Sequence, residues 1–109
     1  MTFAIDENTY SLAKKSLIQT SRLDVPRVIH NVRHSVVGFL DANGATPDIR
    51  RWVLGDIVEM LLVKESLRVS QETAYYELES LEARHDFMAK KLSDYLLGNL
   101  FGNNRCASR

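Results

Sequence analysis

The chain has 109 residues, 45% hydrophobic and 26% charged, and its fourteen basic groups balance fourteen acidic ones. That composition is ordinarily globular and excludes wholesale disorder, while zero net charge excludes a global electrostatic footprint for nucleic acid or anionic membrane. Locally the charge is uneven, at +1 over residues 1–46, −4 over 47–89 and +3 over 90–109.

The chain starts Met1-Thr2-Phe3-Ala4-Ile5, where apolar and small residues alternate as in a short strand or extended arm. No basic patch followed by an apolar run marks a secretory signal. Asp6-Glu7-Asn8 supplies carboxylates and a cap for a first helix over 8–21, with Tyr10, Ala13 and Leu17 on one face. Asp24-Val25-Pro26 is a second start signal, because a proline in the first turn sacrifices no hydrogen bond. Val25, Val28, Ile29, Val32, Val36, Phe39 and Leu40 form the apolar stripe of this helix, expected over 24–42. Asp41-Ala42-Asn43-Gly44 closes it with residues that tolerate a left-handed cap.

Thr46-Pro47-Asp48 repeats the cap-and-proline pattern and launches a third helix. No glycine or proline occurs between Gly55 and Gly98, so 47–97 could form one helix about 75 Å long at 1.5 Å per residue. The dilution of apolar residues around Lys64, Glu65 and Gln71 favours a break near Arg68-Val69-Ser70 instead. Ser70 would then cap a fourth helix, with Glu72 in its first turn. The expected fold is all-α, a single four-helix bundle-like domain with helices near 8–21, 24–42, 47–67 and 70–98. Residues 99–109 follow as a flexible polar tail that carries the sole cysteine, Cys106. A lone cysteine cannot form an intramolecular disulfide, which fits a reducing, cytoplasmic setting. No apolar stretch approaches the roughly 20 residues needed to span a bilayer.

One heptad register runs through the second half of the chain from Val53 to Tyr95. Its apolar members Ile57, Met60, Leu67, Ala74, Leu78, Leu81, Met88, Leu92 and Tyr95, with His85, are the expected interface for self-association. Lys64, Gln71 and His85 interrupt this seam, and polar residues at such positions set register at a cost in stability. Leu54, Leu61, Tyr75, Ala89 and Leu96 widen the stripe beyond a two-stranded coiled coil, toward bundle packing.

Chemistry is sparse. No phosphate loop, nucleophile elbow, paired-cysteine motif or His-Glu metalloprotease spacing occurs, and no cofactor or small-molecule substrate is indicated. His30 and His34 are four apart and could point at one metal ion, but no further ligand motif accompanies them, and Arg27 and Arg33 lie nearby. His85 lies on the seam, where a hydrogen-bonded histidine or a protonation-sensitive contact could sit. Glu77, Glu79, Glu82 and Asp86 read as a charged outer face, able to meet a basic partner.

Two local resemblances bear on nucleic acid. Residues 2–40, with Phe3-Ala4-Ile5-Asp6-Glu7-Asn8-Thr9-Tyr10 followed by two helices, resemble the ribbon-helix-helix family. That resemblance implies paired strands with Phe3 and Ile5 in the core, Thr2 and Ala4 facing bases, and Arg27 as a further contact. Thr2 and Ala4 depart from the family's longer polar or basic groups and cannot read bases bidentately. Leu67-Arg68-Val69-Ser70-Gln71-Glu72-Thr73-Ala74, then Leu78 and Leu81, looks like the turn and recognition helix of a helix-turn-helix protein. Arg68 stands where that family has glycine, Lys64 where it has a tightly packed alanine, and Glu72, Glu77, Glu79 and Glu82 would repel phosphates. The sequence therefore favours a non-catalytic regulator or adaptor that binds itself and another protein, with a DNA-binding regulator as the alternative.

Overall fold

The cap-and-proline signals set the first boundaries. In a computed structural model that describes residues 23–107, together with Ser11, Leu12 and Lys15, helix α1 spans Val25–Ala42. The Asp24 carboxylate accepts from the Arg27 amide at 3.2 Å, and Pro26 occupies the first turn. The helix ends where Gly44 adopts φ +76°, which lets the Ala45 amide return to the Leu40 carbonyl at 2.9 Å. Thr46 then caps α2 (Pro47–Val53), its hydroxyl accepting from the Ile49 amide at 3.3 Å. Arg50 ties α2 back to Asp41 at the end of α1, at 3.1 Å.

The expected helix over 47–67 is divided at Leu54-Gly55, where α2 stops and α3 (Asp56–Val69) begins. Arg33 on α1 holds this break. Its guanidinium donates to the Gly55 carbonyl at 3.1 Å and the Leu54 carbonyl at 3.4 Å, and lies 3.6 Å from the Glu59 carboxylate. The Leu54 carbonyl thus gains a charged donor, the Gly55 carbonyl accepts from Arg33 as well as from the Glu59 amide, and Asp56 and Glu59 suit the positive end of the new helix.

The expected turn after residue 69 is present, but its roles differ. Ser70 is the C-cap of α3, its hydroxyl donating to the Leu67 carbonyl at 2.8 Å, and it starts no helix. Instead of one helix over 70–98 there is a single turn, α4 (Thr73–Tyr76), and then α5 (Leu81–Ala107). Ser80 provides the N-terminal cap of α5, accepting from the Ala83 amide at 3.3 Å. Arg84 secures the 76–80 connection by donating to the carbonyls of Leu78 at 2.7 Å and Tyr76 at 3.4 Å. Its guanidinium also lies 5.3 Å from the centre of the buried Tyr75 ring. The anticipated polar tail from residue 99 is helical as far as Ala107, because α5 continues through Leu100 and Phe101.

The core is made where α1, α3 and α5 meet. Val25, Val28, Ile29, Val32, Val36, Val37 and Leu40 come from α1, Val58, Leu62, Val63 and Val69 from α3, and Met88, Leu92 and Leu96 from α5. Ser66 lies among them fully buried, with its hydroxyl satisfied by donating to the Leu62 carbonyl at 2.7 Å. Helix α5 runs back along α3. Lys91 reaches Glu72 at 3.4 Å, Tyr95 lies beside the middle of α3, and Asn99 and Leu100 face α2 across an open cleft. The class is all-α, and no strand occurs among the described residues. The expected N-terminal arm lies outside the described residues. Of the expected helix 8–21, Ser11, Leu12 and Lys15 are described, and all three are helical.

Candidate interaction surface

The heptad seam does not form one face. On α5 it points inward: Met88 and Leu92 are enclosed by their own chain, and His85 and Tyr95 are half-buried beside them. On α3 it points outward. Ile57 is 45% exposed, Met60 and Leu67 are half-buried, and Lys64 and Gln71 are exposed. The buried α3 set, Val58, Leu62, Ser66 and Val69, is centred roughly 175° around the helix from the seam set at about 100° per residue. Ala74 and Leu81 are exposed and Leu78 is half-buried around the α4–α5 connection. Met88 and Leu92 thus belong to the protomer's core, which corrects their expected place in an interface. An unbroken register concealed this split because α3 is apolar on both sides.

The outward stripe of α3 borders an open trough above α5. Leu61, Lys64, Glu65, Leu67, Arg68, Gln71 and Tyr95 surround a cavity of about 360 Å³. Tyr95 and Asn99 are four apart on α5, so a second cleft, of about 390 Å³, opens one turn further along, between Asn99 and Leu100 on α5 and Asp48, Ile49 and Trp52 on α2. Sequence reasoning missed Ile49 and Trp52, although their i, i+3 spacing on an expected helix places them on a common face. The wall of the first cavity is rigidified by charge. Arg68 donates to Glu65 at 2.6 Å and pairs with Glu72 at 2.9 Å, and the Glu65 hydrogen bond holds its guanidinium pKa above the usual range. Burial, and then the charge of Glu65, raises the Tyr95 hydroxyl pKa. Lys64 has no carboxylate partner among the described residues.

Elsewhere the surface offers little chemistry. No group of three or more His, Cys, Asp or Glu side chains able to hold a metal occurs among the described residues. Glu77, Glu79, Glu82 and Asp86 are exposed around Tyr76 and Leu81, which are 57% and 55% exposed. His85 is half-buried at the edge of the inward stripe and not enclosed, unlike the buried seam histidine expected. The helix-turn-helix resemblance is overturned, because α4 is a single turn and 78–80 is not helical, so no recognition helix follows the turn. For the ribbon-helix-helix resemblance, Thr2 and Ala4 lie outside the described residues, and Arg27 is exposed on the first turn of α1. Most described cations are already engaged: Arg33 with Glu59, Arg50 with Asp41, Arg51 with Asp48, Arg68 with Glu65 and Glu72, Lys90 with Asp94, and Lys91 with Glu72. No helix among the described residues is long and apolar enough to cross a membrane. The chain matches no protein-family model, no curated protein and no solved structure.

Proposed function

We propose that this protein is a non-catalytic regulator or adaptor that self-associates through the outward stripe of α3 and the trough beside it. The observation that carries this reading is the apolar character of α3 on both sides. Val58, Leu62, Val63 and Val69 fill the protomer's core, yet Ile57, Met60, Leu61 and Leu67 repeat the pattern on the opposite side. A helix with apolar residues on two opposite sides calls for burial on both, and here the outer side is only partly covered. In this reading Lys64 and Gln71 set the register between copies, and the acidic rim at Glu77, Glu79, Glu82 and Asp86 meets a basic protein partner.

Sedimentation velocity over a wide concentration range tests the proposal. The wild type should move from a slower to a faster species as concentration rises, with little response to salt. Ile57→Asp, on an exposed side chain, should hold the slower species with unchanged circular dichroism. A wild type that sediments as one monomer at every concentration overturns the reading.

A further inference from the structure

On the face of α1 opposite its buried valine stripe, the His30 and His34 rings lie with centroids 4.4 Å apart and planes tilted by 56°. Both side chains are exposed, and neither ring donates to or accepts from another described residue. Metal–nitrogen bonds of about 2.0–2.1 Å place each ring centroid roughly 3.2 Å from a shared ion. Two imidazoles bound at angles between square and tetrahedral then have centroids ~4.5–5.2 Å apart. The observed separation of 4.4 Å is just below that range, so the two rings already lie near the spacing that a shared ion requires.

Nearby cations are the obvious objection to a metal here, and the structure removes one of them. The Arg33 guanidinium is turned away, engaged with the Leu54 and Gly55 carbonyls and with Glu59. Arg27 remains, one turn before His30, and the Asp24 carboxylate sits beside its amide. We infer that His30 and His34 form a two-imidazole chelate for a divalent transition-metal ion of borderline softness, with Cu(II) bound most tightly and water completing the coordination. The preference follows from the affinity order of imidazole ligands for first-row metals. The i, i+4 spacing gives the chelate its strength, because binding by one ring brings the second to high effective concentration.

The test is calorimetric titration of the untagged chain with Cu(II) and Zn(II), with Cys106→Ser removing the thiolate. The chain has only three histidines, so the assignment is clean. One Cu(II) per chain should bind more tightly than Zn(II), and either His30→Ala or His34→Ala should weaken Cu(II) binding by about 100-fold. The double variant should lose more, because a lone imidazole still ligates Cu(II), while His85→Ala should change nothing and Arg27→Ala should strengthen binding. Broadening of amide resonances by Cu(II) should centre on residues 27–37. Unchanged binding in either single variant, or broadening centred on His85 or on the chain termini, overturns the inference.

Discussion

Leu61 and Leu62 are chemically identical neighbours, and the structure gives them opposite duties. Leu62 is fully buried among the α1 and α5 side chains, whereas Leu61 lines the open trough and is only half-buried. Truncating an enclosed leucine to alanine removes about 2.7–5 kcal/mol, the spread reflecting the cavity left behind. Leu62 has protein on every side, so Leu62→Ala should cost about 4 kcal/mol. Leu61→Ala forfeits only part of the burial term and leaves a hollow already open to water, so it should cost roughly 1 kcal/mol. With a urea slope of about 1.5 kcal/mol/M, Leu62→Ala lowers the unfolding midpoint by about 2–3 M and Leu61→Ala by well under 1 M. Fluorescence-monitored urea unfolding at several protein concentrations gives both values. It should also show a second difference: self-association makes the wild-type midpoint rise with concentration, and Leu61→Ala should flatten that rise. Equal costs at the two positions, or a larger cost at Leu61, would refute the orientation of α3 and the interface drawn from it.

Arg33→Met should cost about 1.5–3 kcal/mol, since it removes a charged donor from the Leu54 and Gly55 carbonyls, and hydrogen exchange should accelerate selectively over 54–59. The glycines of α1 and its cap should respond with opposite signs. Gly38→Ala, on an exposed helical position with nothing near the added methyl, should stabilise by about 0.5–1 kcal/mol, while Gly44→Ala at φ +76° should destabilise by about 1–2 kcal/mol in thermal unfolding. Tyr95 has a raised pKa in the folded chain, so its proton is held more tightly there than in the unfolded chain. Its contribution to stability is present below the unfolded pKa near 10 and lost as pH rises past it; Tyr95→Phe should therefore lose less stability between about pH 9 and 11. In a gel-shift assay at about 50 mM salt, micromolar protein should leave random duplex unshifted, and a shift that disappears steeply with added salt would favour the DNA-binding alternative.

Local rules in the sequence were enough to locate α1 and the start of α2. Asp24 with Pro26, and Thr46 with Pro47, act through hydrogen bonds and ring geometry within a few residues, and those signals survive any tertiary context. The division at Leu54-Gly55 was not legible, because the donor that sustains it, Arg33, comes from another helix. Ser80 was legible in principle, since it precedes the first turn of α5. The heptad register, which runs on from Leu78 to Leu81 without interruption, masks that signal. The register also failed as a guide to orientation. Periodicity reports that a stripe exists, but α3 carries two, and only the packing of α1 and α5 selects the one that turns inward. Of the candidate surface, Leu67, Lys64, Gln71 and Tyr95 were read from the seam. Ile49 and Trp52 enter only once α5 extends past Gly98 to meet α2.

Lys64 stands midway along the outward stripe, with Ile57 and Met60 before it and Leu67 and Gln71 after it. That position constrains the symmetry of any assembly built on the stripe. Two copies related by a two-fold axis through its centre would bring Lys64 against Lys64, two like charges in a partly dehydrated contact. A centred, closed pair is therefore penalised, and an off-centre axis or a head-to-tail arrangement is favoured. Lys64→Leu lifts the penalty, so in any assembly built on the stripe this one side chain would decide whether a centred pair can form.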